Sequence, residues 1–320
     1  LKLEETNNNL LVKKGQSISA LFLYNKFKGR YIMRINGYID AILYVVITSI
    51  TFVLLTKLSS NINLGISLFF MSGVAIICFN LLGVKKLKNT YKIFSSNWVL
   101  CIQMSIALGL DWGFMLFSSI NSDPFIAMGS LFVALAILGF INLFKANHKK
   151  SNIFSIFLLI LSLLLTACFY NSGNYKNALL GVAFGFLAGV SFYFYIILST
   201  ELTSKTNISS IQILSLRFWA LFIGSVFFLP KSTFLVIGDK YLELIMLSLS
   251  SMVLPIFFSQ QALQKLGPGV ASVLFCFVPP ITYLFYAIIY KDIIFINVLI
   301  CTVITAALII PKILDISKRN

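Results

Sequence analysis

A chain of 320 residues that is 59% hydrophobic and only 11% charged cannot hide its apolar surface in a water-soluble fold. Soluble domains carry about a quarter charged residues, so lipid must be the solvent for most of this chain. The formal net charge of +15 would suit a nucleic-acid binder, but the places where that charge falls point to a membrane instead.

Residues 1–37 form a basic cytoplasmic segment. They show no compact apolar stretch ending in a small-residue cleavage site, so a signal peptide is not expected there. The run SISALFLYNKFKGRYIMRI mixes apolar residues with Lys26, Lys28, Arg30 and Arg34. A basic amphipathic helix on the inner leaflet and a mobile tail both fit it. Beyond it, a spanning helix needs about 20 mainly apolar residues. Ten such stretches follow, at 40–59, 64–83, 96–117, 124–144, 152–170, 177–200, 211–230, 241–264, 268–290 and 293–312, with a cytoplasmic tail at 313–320. Short polar connectors separate them, among them VKKLKNTYK, KANHKKSN and PKSTFLVIGDK. With the N-terminus inside, the inner segments hold 19 Lys and Arg and the outer loops hold five, while Arg217 lies within a span. That asymmetry obeys the positive-inside rule with both termini cytoplasmic. It leaves no need for a nucleic-acid partner.

The two halves share a weak likeness. SLFFMSGVAII from Ser67 parallels SLRFWALFIGS from Ser215, an offset of 148. The segment around Pro124 parallels that around Pro268, an offset of 144. These offsets predict a five-helix unit used twice, 38–170 and 177–312. A unit with an odd number of spans exits on the side opposite its start, so its copy is inverted. Inverted repeats place a site near the bilayer midplane and support alternating access. The expected fold is therefore an all-α integral membrane protein of ten transmembrane helices in two inverted five-helix repeats.

The segment Leu254–Asp292, LPIFFSQQALQKLGPGVASVLFCFVPPITYLFYAIIYKD, resembles the C-terminal signature of the EamA-type branch of the drug/metabolite transporter superfamily. The likeness rests on Ala262-Leu263, Gly267-Pro268, Ala271-Ser272, Pro279 and the acidic Asp292. Ser215–Trp219, SLRFW, is similar to the arginine-bearing start of the family's seventh helix. Phe69, Leu135 and Asp292 depart from the family pattern. The resemblance covers about residues 38–312. It implies N-in/C-in topology, a place in a bacterial cytoplasmic membrane, and export or exchange of small metabolites.

Charged groups inside a bilayer are costly and need a reason. Asp111 lies about 15 residues into the third span, with Gln103 and Ala107 at fourfold spacing on one helical face and Trp112 beside it. It reads as an amine or proton site, or as a carboxyl bonded to a neighbouring helix. Arg217 lies about seven residues into the seventh span, sharing with Ala220 and Gly224 a face of small residues that suits close helix packing or a cavity wall. It can bind a carboxylate or phosphate or snorkel to the surface. The two lie at different depths, so a direct ion pair is not expected. Trp219 and Gln260 are further substrate candidates, and Pro255, Pro279 and Pro280 are hinge candidates.

Cys78, Cys101, Cys168, Cys276 and Cys301 lie in apolar runs and are read as small buried hydrophobes. With a single histidine, His148, no metal site and no cofactor are expected. An enzyme is disfavoured because no paired acidic or His-Glu motif exists. The remaining alternatives are a flippase of lipid-linked substrates and a non-transport membrane protein. The expected partners are the lipid bilayer and a small-molecule substrate, with a homodimer left open.

Overall fold

The computed structural model describes residues 35–55, 62–143, 149–169, 177–231, 233–266, 268–291 and 293–319. All regular structure in them is helical: α1 (Ile35–Leu55), α2 (Leu64–Leu82), α3 (Leu87–Ser96), α4 (Trp98–Asn121), α5 (Pro124–Leu143), α6 (Lys149–Phe169), α7 (Ala178–Thr206), α8 (Ser210–Leu216), α9 (Trp219–Val226), α10 (Thr233–Ser248), α11 (Leu254–Leu266), α12 (Pro268–Phe275), α13 (Val278–Tyr290) and α14 (Phe295–Arg319). Six apolar segments among the described residues are long enough to cross a membrane: α1, α2, α4, α7, Val236–Leu266 and Val273–Tyr290. Shorter apolar helices lie at Pro124–Leu138, Ile156–Cys168, Ser210–Val226 and Phe295–Ile310. The chain is a multi-span membrane protein. Large apolar side chains such as Leu81, Phe157 and Leu179 point outward. In water that exposure would drive aggregation; in a bilayer it costs nothing.

The packing follows from small residues and hydroxyls. Along α7, Gly181, Gly185 and Gly189 recur every four residues on one face. A Cβ on Gly189 would stand 2.4 Å from the Leu131 carbonyl oxygen and 2.6 Å from Ala134 Cβ, so only glycine lets α7 and α5 approach this closely. Ser118 of α4 donates to the Gly181 carbonyl at 2.6 Å across the same seam. Lipid tails are as apolar as leucine, so close van der Waals packing and such bonds hold membrane helices together. Elsewhere α2 packs on α8, α9 and α10, α5 on α13, and α6 on α14.

Four expectations require correction. The connector over 84–95 is a 3-10 turn at Val84–Lys86 followed by α3, not a loop. α3 buries Thr90 and half-buries Leu87, Ile93 and Phe94 while its lysines stay exposed, so it is amphipathic, and at ten residues it is too short to span a bilayer. The connector before 241 is also helical, with the chain kinked at Lys240 (φ −119°, ψ 18°). The seventh span is broken between α8 and α9, and the ninth between α12 and α13. Finally, Cys168 is exposed, while Cys101, Cys276 and Cys301 are buried. Asp292, His148 and the basic run over 16–34 lie outside the described residues, as do the connectors over 56–61 and 170–176.

Candidate functional site

The break between α8 and α9 has a local cause. Ser105 of α4 places its hydroxyl into the backbone of the neighbouring segment, donating to the Arg217 carbonyl at 2.9 Å and accepting from the Ala220 amide at 2.8 Å. Side chains that enter the helical hydrogen-bond ladder in this way open it. Most buried hydroxyls of this chain bond back to their own helix, as Ser72, Ser119, Ser122 and Ser248 do. Ser105 instead serves a different helix. Arg217 and Phe218 therefore form a two-residue turn between α8 and α9, with their backbone still in the right-handed helical region (φ −81°, ψ −21° and φ −94°, ψ −5°).

Arg217 is buried, 5% exposed. It does not snorkel to the surface. Its Nη1 donates to the Tyr195 hydroxyl at 2.8 Å, and its guanidinium carbon lies 4.9 Å from the ring centres of both Tyr195 and Phe218. Cation–π contact offsets part of the cost of burial. The Nε atom has no hydrogen-bond partner among the described residues. Asp111 is buried, 7% exposed, and its Oδ1 is likewise without a partner among them. No ion pair joins the two among the described residues. They are nevertheless close enough to act on each other electrostatically, and Tyr44 of α1 lies in the field of both. The Thr48 hydroxyl lies one turn along α1 from Tyr44, and the Trp219 indole N–H is buried with no hydrogen-bond partner among the described residues.

The other candidates divide. Trp112 is buried and stacks on Phe52 of α1 with ring centres 6.1 Å apart, which makes it a packing residue beside Asp111. Gln103 is exposed and stands apart. Eight residues of helix turn a side chain by about 80° past full turns, so Gln103 and Asp111 diverge despite their fourfold spacing. Gln260 donates to the Ser210 hydroxyl at 3.3 Å, at the start of α8, two turns from Arg217. There it joins a separate polar cluster in which Gln264 also reaches Ser210, and Gln212 donates to Thr90 of α3 at 3.1 Å. Pro255 directly follows a π-helical turn at Leu249–Val253, and the Thr51 hydroxyl of α1 bonds the Ser250 carbonyl there at 3.1 Å. Pro279 and Pro280 open α13 after the second break, where Ser49 of α1 donates to the Val278 carbonyl at 3.1 Å. All three prolines thus sit at irregularities supported by α1.

Sequence reasoning missed Tyr195, Tyr44, Thr48 and Ser105. The last three are ordinary polar residues in apolar runs, and only the packing of α1 and α4 reveals them. Tyr195 carried a usable signal. It lies on α7 ten residues after Gly185, in a run whose small residues mark an interhelical face.

No protein-family model matches this chain, and no curated protein matches it. Solved structures do. One, described only as "Crystal structure of protein", superposes with a TM-score of 0.54 at 13% identity, over 88% of this chain and 96% of its own. At that identity the likeness concerns the fold alone.

Proposed function

We infer that the chain is a ten-span secondary transporter of a small polar metabolite, related to the EamA-type transporters and working by alternating access. One observation carries this reading. Two ionisable side chains, Arg217 at the turn between α8 and α9 and Asp111 of α4, are buried inside the bundle, each with a hydrogen-bonding atom that has no protein partner among the described residues. Intramembrane ionisable residues of this kind mark substrate or ion pathways, and transporters build their sites at interrupted helices. Arg217 would take an anionic group of the substrate on its Nε edge, since Tyr195 holds the Nη1 side. Asp111 would take an amine or a proton.

The helix packing supports the five-plus-five plan. Count the spans as α1, α2, α4, α5, α6, α7, α8–α9, α10–α11, α12–α13 and α14. Span two packs on seven, four on nine, and five on ten. Three packs on six and four on six, while one bonds to eight and to nine through Thr51 and Ser49. Three packs on seven, as eight packs on two. Exchanging each span with the one five places away returns the first three pairs to themselves and maps each of the others onto another of the set.

The test is counterflow in proteoliposomes against amino acids, nucleosides and sugars, followed by initial rates for two variants. Arg217→Lys keeps the charge but loses the planar fork, and should lower transport about tenfold or more, the value of a charged hydrogen bond. Asp111→Asn keeps the shape and should abolish any dependence on a proton gradient. Wild-type rates in both variants, at normal membrane insertion, would retire the site. Failure of the entire panel with active insertion would count against transport itself.

A further inference from the structure

We propose that α3 and the turn before it form a binding surface for anionic phospholipid. Lys85 and Lys86 lie in the turn, and Lys88 and Lys92 lie one turn apart on α3; all four are exposed. No acidic residue occurs anywhere from Val84 to Asn97 to neutralise them. The nearest helices offer none either, because α8 has no charged side chain, and α4 carries only the buried Asp111 far along its length. The opposite face of α3 is fixed to the protein. Thr90 is buried and accepts from Gln212 of α8, and the Tyr91 hydroxyl donates to Asn80 of α2 at 3.1 Å. The lysines are therefore presented by an anchored helix, not by a loose connector.

Outward-facing apolar side chains flank them along the chain. Leu81, Leu82 and Val84 precede α3, and Trp98 and Val99 follow it; each is about half or more exposed. A surface with cations in its middle and apolar groups on both flanks matches one molecule in two ways: an anionic headgroup on the lysines and acyl chains on the flanks. Free phosphate would use the first half only. A soluble acidic protein would leave the apolar half in water. Tryptophan at the junction suits the headgroup level, and each lysine near an anionic leaflet contributes a factor of about five. The proposal rests on the chain being a membrane protein, not on its being a transporter.

The experiment uses the full chain in nanodiscs of phosphatidylcholine with roughly a third phosphatidylglycerol on both faces, so orientation does not enter. Lipids retained after gentle detergent extraction are counted by native mass spectrometry. Wild type should retain phosphatidylglycerol in preference to phosphatidylcholine, and the variant Lys85→Gln, Lys86→Gln, Lys88→Gln, Lys92→Gln should lose that preference by about tenfold or more. A control variant, Lys231→Gln with Lys291→Gln, should not. If the fourfold variant fails to fold, salt titration of the wild type decides: molar salt should strip phosphatidylglycerol selectively, because the Debye length falls to about 3 Å. Equal phosphatidylglycerol retention in the fourfold variant and the wild type, or salt-insensitive retention, would overturn the proposal. So would displacement of the lipid by millimolar inorganic phosphate, which would assign the lysines to a soluble anion.

Discussion

Replacing Ser105 by alanine tests the origin of the helix break. The substitution removes a hydroxyl that is 4% exposed and makes two bonds, to the Arg217 carbonyl and the Ala220 amide. Stranding two buried backbone groups would cost about 1–3 kcal/mol each. The α8–α9 link can partly recover by closing an ordinary helical turn, and hydrogen-bond deletions in membrane helices average only about 0.6 kcal/mol with a maximum near 1.7. The expected loss for Ser105→Ala is therefore about 1–2 kcal/mol. Ser118→Ala is the matched control. It deletes one bond, to the Gly181 carbonyl at 2.6 Å, whose oxygen can still accept from its own helix, and it should cost about 0.5 kcal/mol. Unfolding in mixed micelles, followed by tryptophan fluorescence, measures both. A Ser105→Ala loss no larger than that of Ser118→Ala would refute the view that this hydroxyl holds the link open.

Tyr195→Phe should cost about 1.5 kcal/mol, because a bond to a charged group is lost while the ring still faces the guanidinium. Tyr195→Leu should cost about 0.5–2 kcal/mol more as the cation–π contact goes; the same unfolding assay separates them. Gly189→Ala forces a Cβ against the Leu131 carbonyl and should destabilise by about 1–3 kcal/mol, whereas Gly113→Ala meets nothing within 4 Å and should be neutral or better by thermal melting. Reporter fusions at Asn121, Gly173 and Gly238 should read outside, and at Asn147 and Thr206 inside; an outside signal at Asn147 would sink the topology.

Much of the fold was legible because the bilayer imposes a length rule on apolar runs. Each of the ten expected stretches falls on a helix or a pair of helices, with ends displaced by a few residues. Hydropathy does not register the breaks. At Phe218 and at Cys276–Phe277 the residues stay apolar, and only one break is announced, by Pro279 and Pro280. The break at Arg217 comes from Ser105, 112 positions away. A similar limit applies to the site. Arg217 and Asp111 stand out in sequence because charge in lipid is rare, but fourfold spacing added Gln103, which packing turns outward. Gln260 was chosen for its polarity, and its partner Ser210 is two turns from the arginine. α3 was missed because four lysines in a short run read as a loop unless the spacing of Leu87, Thr90, Phe94 and Asn97 is given equal weight.

The irregular backbone is unevenly shared. α2, α4 and α5 run unbroken, whereas α8–α9, α10–α11 and α12–α13, their counterparts in the proposed repeat, carry two breaks and a π-helical turn. The hydroxyls that bond at these places, Ser49 and Thr51 of α1 and Ser105 of α4, all come from the first half of the chain. A machine of two identical inverted halves has end states related by a two-fold rotation about an axis in the membrane plane, and equal in energy. With one half rod-like and the other articulated, that degeneracy is lifted. On the transporter reading, the empty carrier then rests facing one side of the membrane, and its forward and reverse half-cycles have different barriers. A preferred resting orientation would be written into the stiffness of the bundle, while the direction of net transport would still be set by the gradients.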